Sequence, residues 1–255
     1  MNIAILVDNF SGHLFHDVEL FIVLFEKRYE NIACIEFINM NGKIHCKEER
    51  NRVLCQKLFG ADATITDDKE RHYDDVIDRT ELDHGNVNKA FAKSIRNFPE
   101  RKWADLLSRS LPSNQLKILY SSRQETCRRL SDDAHTFILN LVRSYDGTIC
   151  DDLGRYSIQE QIELFRHHNC VIGVHGNNLT GIMWMSPASH VFEILPFDCK
   201  DCVYDYHCMS LCMKHHYTQI NGLGESHNCI MGLDNSSKKM LESHLHMLKS
   251  VMFSS

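Results

Sequence analysis

Two short, mostly apolar runs dominate the second half of the chain: Asn169-Cys170-Val171-Ile172-Gly173-Val174 and His190-Val191-Phe192-Glu193-Ile194-Leu195, the latter interrupted only by Glu193 after its histidine. Neither alternates apolar with polar positions, so neither suits a strand with one face in water. Each reads as a strand covered on both faces, which is the pattern of parallel sheets flanked by helices. Helical and strand signals alternate around them. Leu116–Tyr120 and Gly147–Cys150 read as strands, and Asp133–Arg143 as a helix. A further helix follows Tyr156 and runs through Phe165, with Ser157 and Glu160 spaced as a capping box. Ser237–Met252 has the spacing of a closing amphipathic helix.

The first half repeats the theme more faintly. His13–Phe25 carries an apolar stripe at helical spacing, Ala33–Ile38 reads as a strand and Arg52–Phe59 as a helix. Asp62–His84 is polar and acidic and reads as loop, and Val87–Asn97 resumes helical spacing. Prolines at Pro99 and Pro112 punctuate the middle. The expected organisation is α/β: an N-terminal α/β domain over residues 1–112, a Rossmann-like domain over 113–230, and a closing helix over 231–255.

Three segments carry chemistry. Val171–Thr180 ends an apolar strand in His175-Gly176-Asn177-Asn178 and turns into a small-residue helix start. Ligands of doubly wound sheets sit beyond the carboxyl ends of strands, where helix N-termini offer unpaired N–H groups to phosphates. Gly176 would let the backbone come close to such a group; a structural turn with a buried histidine is the plainer alternative. The second segment, Ser122–Arg129, follows the Leu116–Tyr120 strand and holds Arg123, Arg128 and Arg129. A guanidinium fork suits phosphate oxygens, although a solvated basic helix face has the same composition. In the third, His13, His16 and Asp17 fall within about one helical turn, so a carboxylate near imidazoles could act as general base toward a hydroxyl. A hydrogen-bonded helix cap is its structural counterpart. Glu193, expected at a strand end, could hold a ribose or sugar hydroxyl or make a structural hydrogen bond.

Composition narrows the ligand. The formal net charge is −6, with no broad basic excess to neutralise a nucleic acid. A local arginine cluster could still hold one pyrophosphate. No continuous apolar run reaches the ~20 residues of a membrane span. The N-terminal Met1–Val7 is too short for a signal-peptide core, so the chain reads as complete, cytoplasmic and not secreted. Eleven cysteines, an odd number, suit reduced thiols in a reducing compartment better than a disulfide framework.

Taken together, His13-x-Phe15-His16-Asp17, Ser122-Arg123 with Arg128-Arg129, Glu160-Gln161 before Phe165, His175-Gly176 with Leu179-Thr180, and Glu193-x-x-Pro196 resemble glycosyltransferase family 61. The resemblance covers most of the chain. It implies a GT-B fold of two Rossmann-like domains facing a cleft, here in compact form. It also implies inversion at the anomeric carbon and a nucleotide-sugar donor held mainly by the second domain, with Arg123, Arg128 or Arg129, and His175 at donor-binding positions. The family's leading donors are uridine diphosphate-xylose and uridine diphosphate-N-acetylglucosamine, and bulky Trp184 tilts slightly toward the smaller sugar. The acceptor would be a glycan or glycoprotein hydroxyl. The chain departs from the family in its short first domain and in Asn177-Asn178, where small residues usually follow His-Gly.

No Asp-x-Asp occurs, although paired steps such as Asp132-Asp133 do. A metal that holds a diphosphate needs convergent carboxylates, so metal independence and no cofactor beyond the donor are expected. Three rival readings stand beside the transferase. One is a degenerate transferase fold serving as a glycan-binding or scaffolding module. Another is a nucleotide hydrolase, which lacks its phosphate-binding Gly-x-x-x-x-Gly-Lys loop here. The third is a structural zinc among Cys199, Cys202, His207, Cys208, Cys212, His215 and His216, where a helix over Tyr204–Lys214 with two cysteines on one side is the simpler alternative.

Overall fold

The computed structural model describes residues 2–7, 34–39, 62–66, 75–78, 115–125, 128–196, 206–207, 210, 213–224 and 229–253. Contacts along the chain divide it into two compact units, Met1–Leu106 and Leu107–Ser255. The first contains four parallel strands, β1 (Asn2–Val7), β2 (Cys34–Asn39), β3 (Asp62–Thr66) and β4 (Asp75–Asp78), in the order β3-β2-β1-β4. Ile3 stands beside Ile35 on one side and Asp75 on the other. The chain thus steps outward from β1 to β3 and returns on the opposite side of β1, the winding of a Rossmann-like sheet.

Two of these strands correct the reading of residues 62–84 as loop. Asp62-Ala-Thr-Ile-Thr66 and Asp75-Val-Ile-Asp78 are too short and too acidic to show a period. Parallel pairing with β2 and β1 supplies backbone hydrogen bonds that a residue-type count does not register. The helices expected over His13–Phe25, Arg52–Phe59 and Val87–Asn97 lie outside the described residues.

The second unit is a five-stranded, wholly parallel sheet in the order β6-β5-β7-β8-β9: β5 (Ile118–Ser121), β6 (Thr148–Cys150), β7 (Cys170–Val174), β8 (His190–Pro196) and β9 (His216–Gly222). Between them run helices α1 (Asp132–Arg143) and α2 (Ile158–Arg166) and a 3-10 turn over Asn177–Trp184, and the closing helix α3 (Asn235–Phe253) follows β9. Alternate residues of the strands point to opposite faces. Ile118, Tyr120, Ile172, Val174, Phe192, Ile194 and Ile220 share one buried cluster with Ala134, Ile138 and Val142 of α1 and Leu241, Leu245 and Leu248 of α3. The continuous apolar runs of β7 and β8 are therefore explained by cover on both sides. On the second face Leu179 and Ile182 of the 3-10 turn are wholly buried, as is Phe165 of α2, whose ring lies where a Gly181 side chain would stand.

Local signals set the element ends. Ser131 accepts from Ala134 N to cap α1. The Ser157–Glu160 capping box is formed in both directions, with Ser157 N donating to Glu160 Oε2 at 2.8 Å. That bond, made at the exposed helix start, holds the Glu160 carboxyl below its usual range. Cys150 and Cys170 are buried thiols, and burial pushes Cys150 up to about 11 and Cys170 further. Strand β9 has no counterpart among the expected strands, because His216, Thr218, Gln219 and Asn221 leave it without an apolar run.

Candidate functional site

The strand order puts a switch point between β5 and β7. From β5 the chain goes through α1 to β6 on one side. It then crosses through α2 to β7 on the other side, so the connections leaving β5 and β7 diverge. Crevices of this kind, at the carboxyl ends of strands, are where open α/β sheets take ligands. The two segments singled out in the second half of the sequence leave the sheet on either side of this point.

There they are bonded to each other. Arg123, two residues past β5, donates from Nη1 to the carbonyl oxygen of His175 at 2.9 Å. Its guanidinium lies across Gly176, where a Cβ would land on Nη1. Gly176 also has φ +133° and ψ −175°, a region that side chains rarely enter. Glycine is thus required twice, for the backbone turn and for the arginine above it. The close approach that Gly176 is expected to allow is made in this structure by the guanidinium of Arg123. Asn178 closes the gap from the other side, donating from Nδ2 to the Ser122 carbonyl at 2.9 Å. Ser122 N in turn donates to Cys150 O at 2.9 Å, so the ends of β5, β6 and β7 are tied together. The Ser122 side chain is wholly buried.

Below this layer sits a second one. His175 is 7% exposed, and its Nδ1 lies 2.6 Å from Glu193 Oε1. A carboxylate has only acceptors to offer, so Nδ1 carries the proton and Nε2 is the ring's remaining polar atom. The other oxygen of Glu193 accepts from the Tyr217 hydroxyl at 2.6 Å. Glu193 is 0% exposed and stands mid-strand in β8, opposite Gly173 and Gln219. This corrects its expected place at a strand end. Both of its oxygens are engaged by side chains, so of its two anticipated roles the structural hydrogen bond is formed.

The remaining candidates divide. Arg128 and Arg129 lie on the connection to α1, where Arg129 is exposed and its carbonyl accepts from Met231 N at 2.8 Å. Asn177 opens the 3-10 turn. Trp184 is 1% exposed and belongs to the core, which removes the reason it offered for a smaller sugar. His13, His16 and Asp17 lie outside the described residues; β1 ends at Val7, just ahead of them. Of the zinc candidates, Cys199, Cys202, Cys208 and Cys212 also lie outside, and Tyr206, His207 and Ser210 are helical. Among the described residues no group of three His, Cys, Asp or Glu is placed to hold a metal ion. His207 stacks on Tyr217, His216 stacks on His190, and His215 donates from Nε2 to Ile182 O at 2.9 Å.

Pattern reading missed Tyr217 and Tyr206, whose ring meets His175 edge-on at 5.4 Å. The run Tyr217-Thr-Gln-Ile220 is rich in strand formers, and that signal would have found Tyr217. No helix of the described residues is long and apolar enough to cross a membrane.

The profile of the family Glycosyltransferase 61 matches residues 12–192. No curated protein matches the sequence. Among solved structures, the chain is similar to the Escherichia coli ADP-heptose lipopolysaccharide heptosyltransferase II, with a TM-score of 0.51 and 11% identity over 97% of this chain and 98% of that one. At that identity the likeness concerns the fold, which is GT-B-like and α/β, with a parallel sheet in each unit.

Proposed function

The chain belongs to glycosyltransferase family 61, and from that premise we propose that it is an inverting transferase moving xylose or N-acetylglucosamine from a uridine diphosphate sugar to a hydroxyl of a glycan or glycoprotein. The observation that carries this reading is the Arg123–His175–Gly176 junction at the switch point of the second sheet. It gathers a guanidinium and an imidazole where a diphosphate would bind in this class of fold.

In this mechanism the diphosphate lies against Arg123 and His175. Asp17, assisted by His13 or His16, takes the proton of the acceptor hydroxyl. The oxygen attacks the anomeric carbon on the face opposite the leaving group. The bond to the diphosphate breaks through an oxocarbenium-like transition state, which inverts the centre. Charge grows on the departing diphosphate, and preorganised donors lower the barrier there. Arg123 is already held at 2.9 Å to the His175 carbonyl, so little reorganisation is needed. Arg128, Arg129 and the Asn177–Asn178 turn would complete the donor site. The sequence lacks Asp-x-Asp, and on this reading transfer survives chelation of divalent metals.

Incubating the protein with each uridine diphosphate sugar and a panel of glycan and glycoprotein acceptors, with and without chelator, tests the proposal. Release of uridine diphosphate with a product of opposite anomeric configuration supports it. Binding without release would instead favour a degenerate glycan-binding module.

A further inference from the structure

Wholly buried Glu193 and half-buried Tyr217 form a hydrogen-bonded chain behind His175 that the proposed transfer mechanism does not use. Three strands supply it: His175 leaves β7, Glu193 is mid-strand in β8, and Tyr217 is the second residue of β9. Tyr217 pairs with Val191, so its side chain shares a sheet face with Glu193 and reaches it on the diagonal. Both links measure 2.6 Å.

The direction of each bond follows from chemistry. Burial, and then the charge and hydrogen bond of Glu193, raise the Tyr217 phenol far above its usual range. It stays protonated and donates. Glu193 therefore accepts twice, from Tyr217 at Oε2 and from His175 at Oε1. The rings are also clamped by consecutive residues of one segment. Tyr206 meets His175 edge-on at 5.4 Å, and His207 stacks on Tyr217 at 4.9 Å. A wholly buried carboxylate is costly unless every oxygen is satisfied. Strand packing alone would be served equally well by apolar residues at 193 and 217.

We propose that Tyr217 is a positioning residue: acting through Glu193, it holds the His175 ring with its proton on Nδ1 and presents Nε2 to the donor's diphosphate. The inference rests on the donor-binding reading of His175. It extends that site to β9, outside residues 12–192 that match the family profile.

Ring-labelled histidine spectra separate the two claims. His175 is assigned by loss of its signals in His175→Gln. In the wild-type protein its Nδ1 carries a protected proton; a ring protonated on Nε2 alone overturns the chain without any variant. Tyr217→Phe and Glu193→Gln should each weaken or shift that Nδ1 proton. Each should also raise the Kd for uridine diphosphate roughly three- to tenfold, the size of one hydrogen bond. Thermal melts confirm that the variants fold, and Glu193→Gln serves if Tyr217→Phe does not. Wild-type ring spectra and unchanged affinity in a folded variant overturn the proposal. If His175→Gln binds uridine diphosphate normally, the donor role of His175 falls, and the ring spectra alone then decide the chain.

Discussion

The two ends of the second sheet both carry histidines, and they use them in opposite ways. At the carboxyl end His175 is given a carboxylate partner, and its backbone carbonyl takes a guanidinium. At the amino end His190 stacks on His216 at 4.6 Å, with His215 next in sequence and His244 of α3 nearby. Among the described residues no carboxylate bonds to them: burial, then the neighbouring histidines, push His190 down to about 4, and burial pushes His215 down to about 4. A buried imidazole with an acid behind it is held in one orientation, ready for a charged ligand. An imidazole without one is kept neutral by burial: His190 packs flat on His216, and His215 donates to the Ile182 carbonyl. Position in the sheet and the partner decide the role; the residue type does not.

The largest expected effects break the carboxyl end. Arg123→Ala should lower turnover by about two to three orders of magnitude, as loss of a charge-stabilising donor does. Steady-state rates on a uridine diphosphate sugar measure it. Gly176→Ala should lose as much activity, because its methyl displaces the Arg123 guanidinium. It should also destabilise the protein by about 1–3 kcal/mol, because φ +133° strains any side chain. Urea unfolding separates the two variants, since Arg123→Ala carries no such backbone strain.

The amino end answers to pH instead. His190 and His215 have folded values of about 4 against 6.5 in an unfolded chain. Between those values the unfolded state binds protons that the folded state refuses, so stability falls as pH drops from about 6.5 to 4. For His215, which is 6% exposed, the loss is on the order of 3 kcal/mol at the acid end. His190 is more exposed and contributes less. Urea midpoints at pH 7 and pH 5 should differ in this sense, and His190→Phe should shrink the difference while leaving turnover at pH 7 unchanged. A midpoint independent of pH over this range would remove the contrast.

The smallest effect is a gain. Ala188 sits at φ 64° in the turn before β8, where its N donates to Lys214 O. Ala188→Gly should stabilise by about 0.5–1 kcal/mol through relief of the left-handed conformation, offset in part by a looser unfolded chain. A thermal melt would register it, and turnover should not change.

Much of this contrast was legible in the sequence, and the part that was not has a physical reason. β7 and β8 showed themselves through continuous apolar runs, α2 through its capping box, and the His175-Gly176 turn through its place after a strand. The link between Arg123 and Gly176 was not visible, because the residues are far apart in the chain and meet only through the crossover between β5 and β7. Glu193 lies inside the strand read at His190–Leu195, and its expected place at a strand end does not follow from that run; what no run of residues shows is that it bonds His175 and Tyr217. β3 and β4 were hidden by aspartates at their ends, and β9 by the histidines at its start. In each case pairing with a neighbouring strand decided the structure, and pairing is a property of the fold.

The central claim is that the carboxyl end of the second sheet binds a nucleoside diphosphate through Arg123 and His175. Calorimetric titration of uridine diphosphate into the wild-type protein and into Arg123→Ala, with chelator present, tests it most directly. Saturable binding by the wild type and a Kd at least tenfold weaker in the variant are expected, since a lost charge-assisted hydrogen bond contributes about 1.5–3 kcal/mol. Equal affinity in both proteins would place the diphosphate elsewhere and contradict the account.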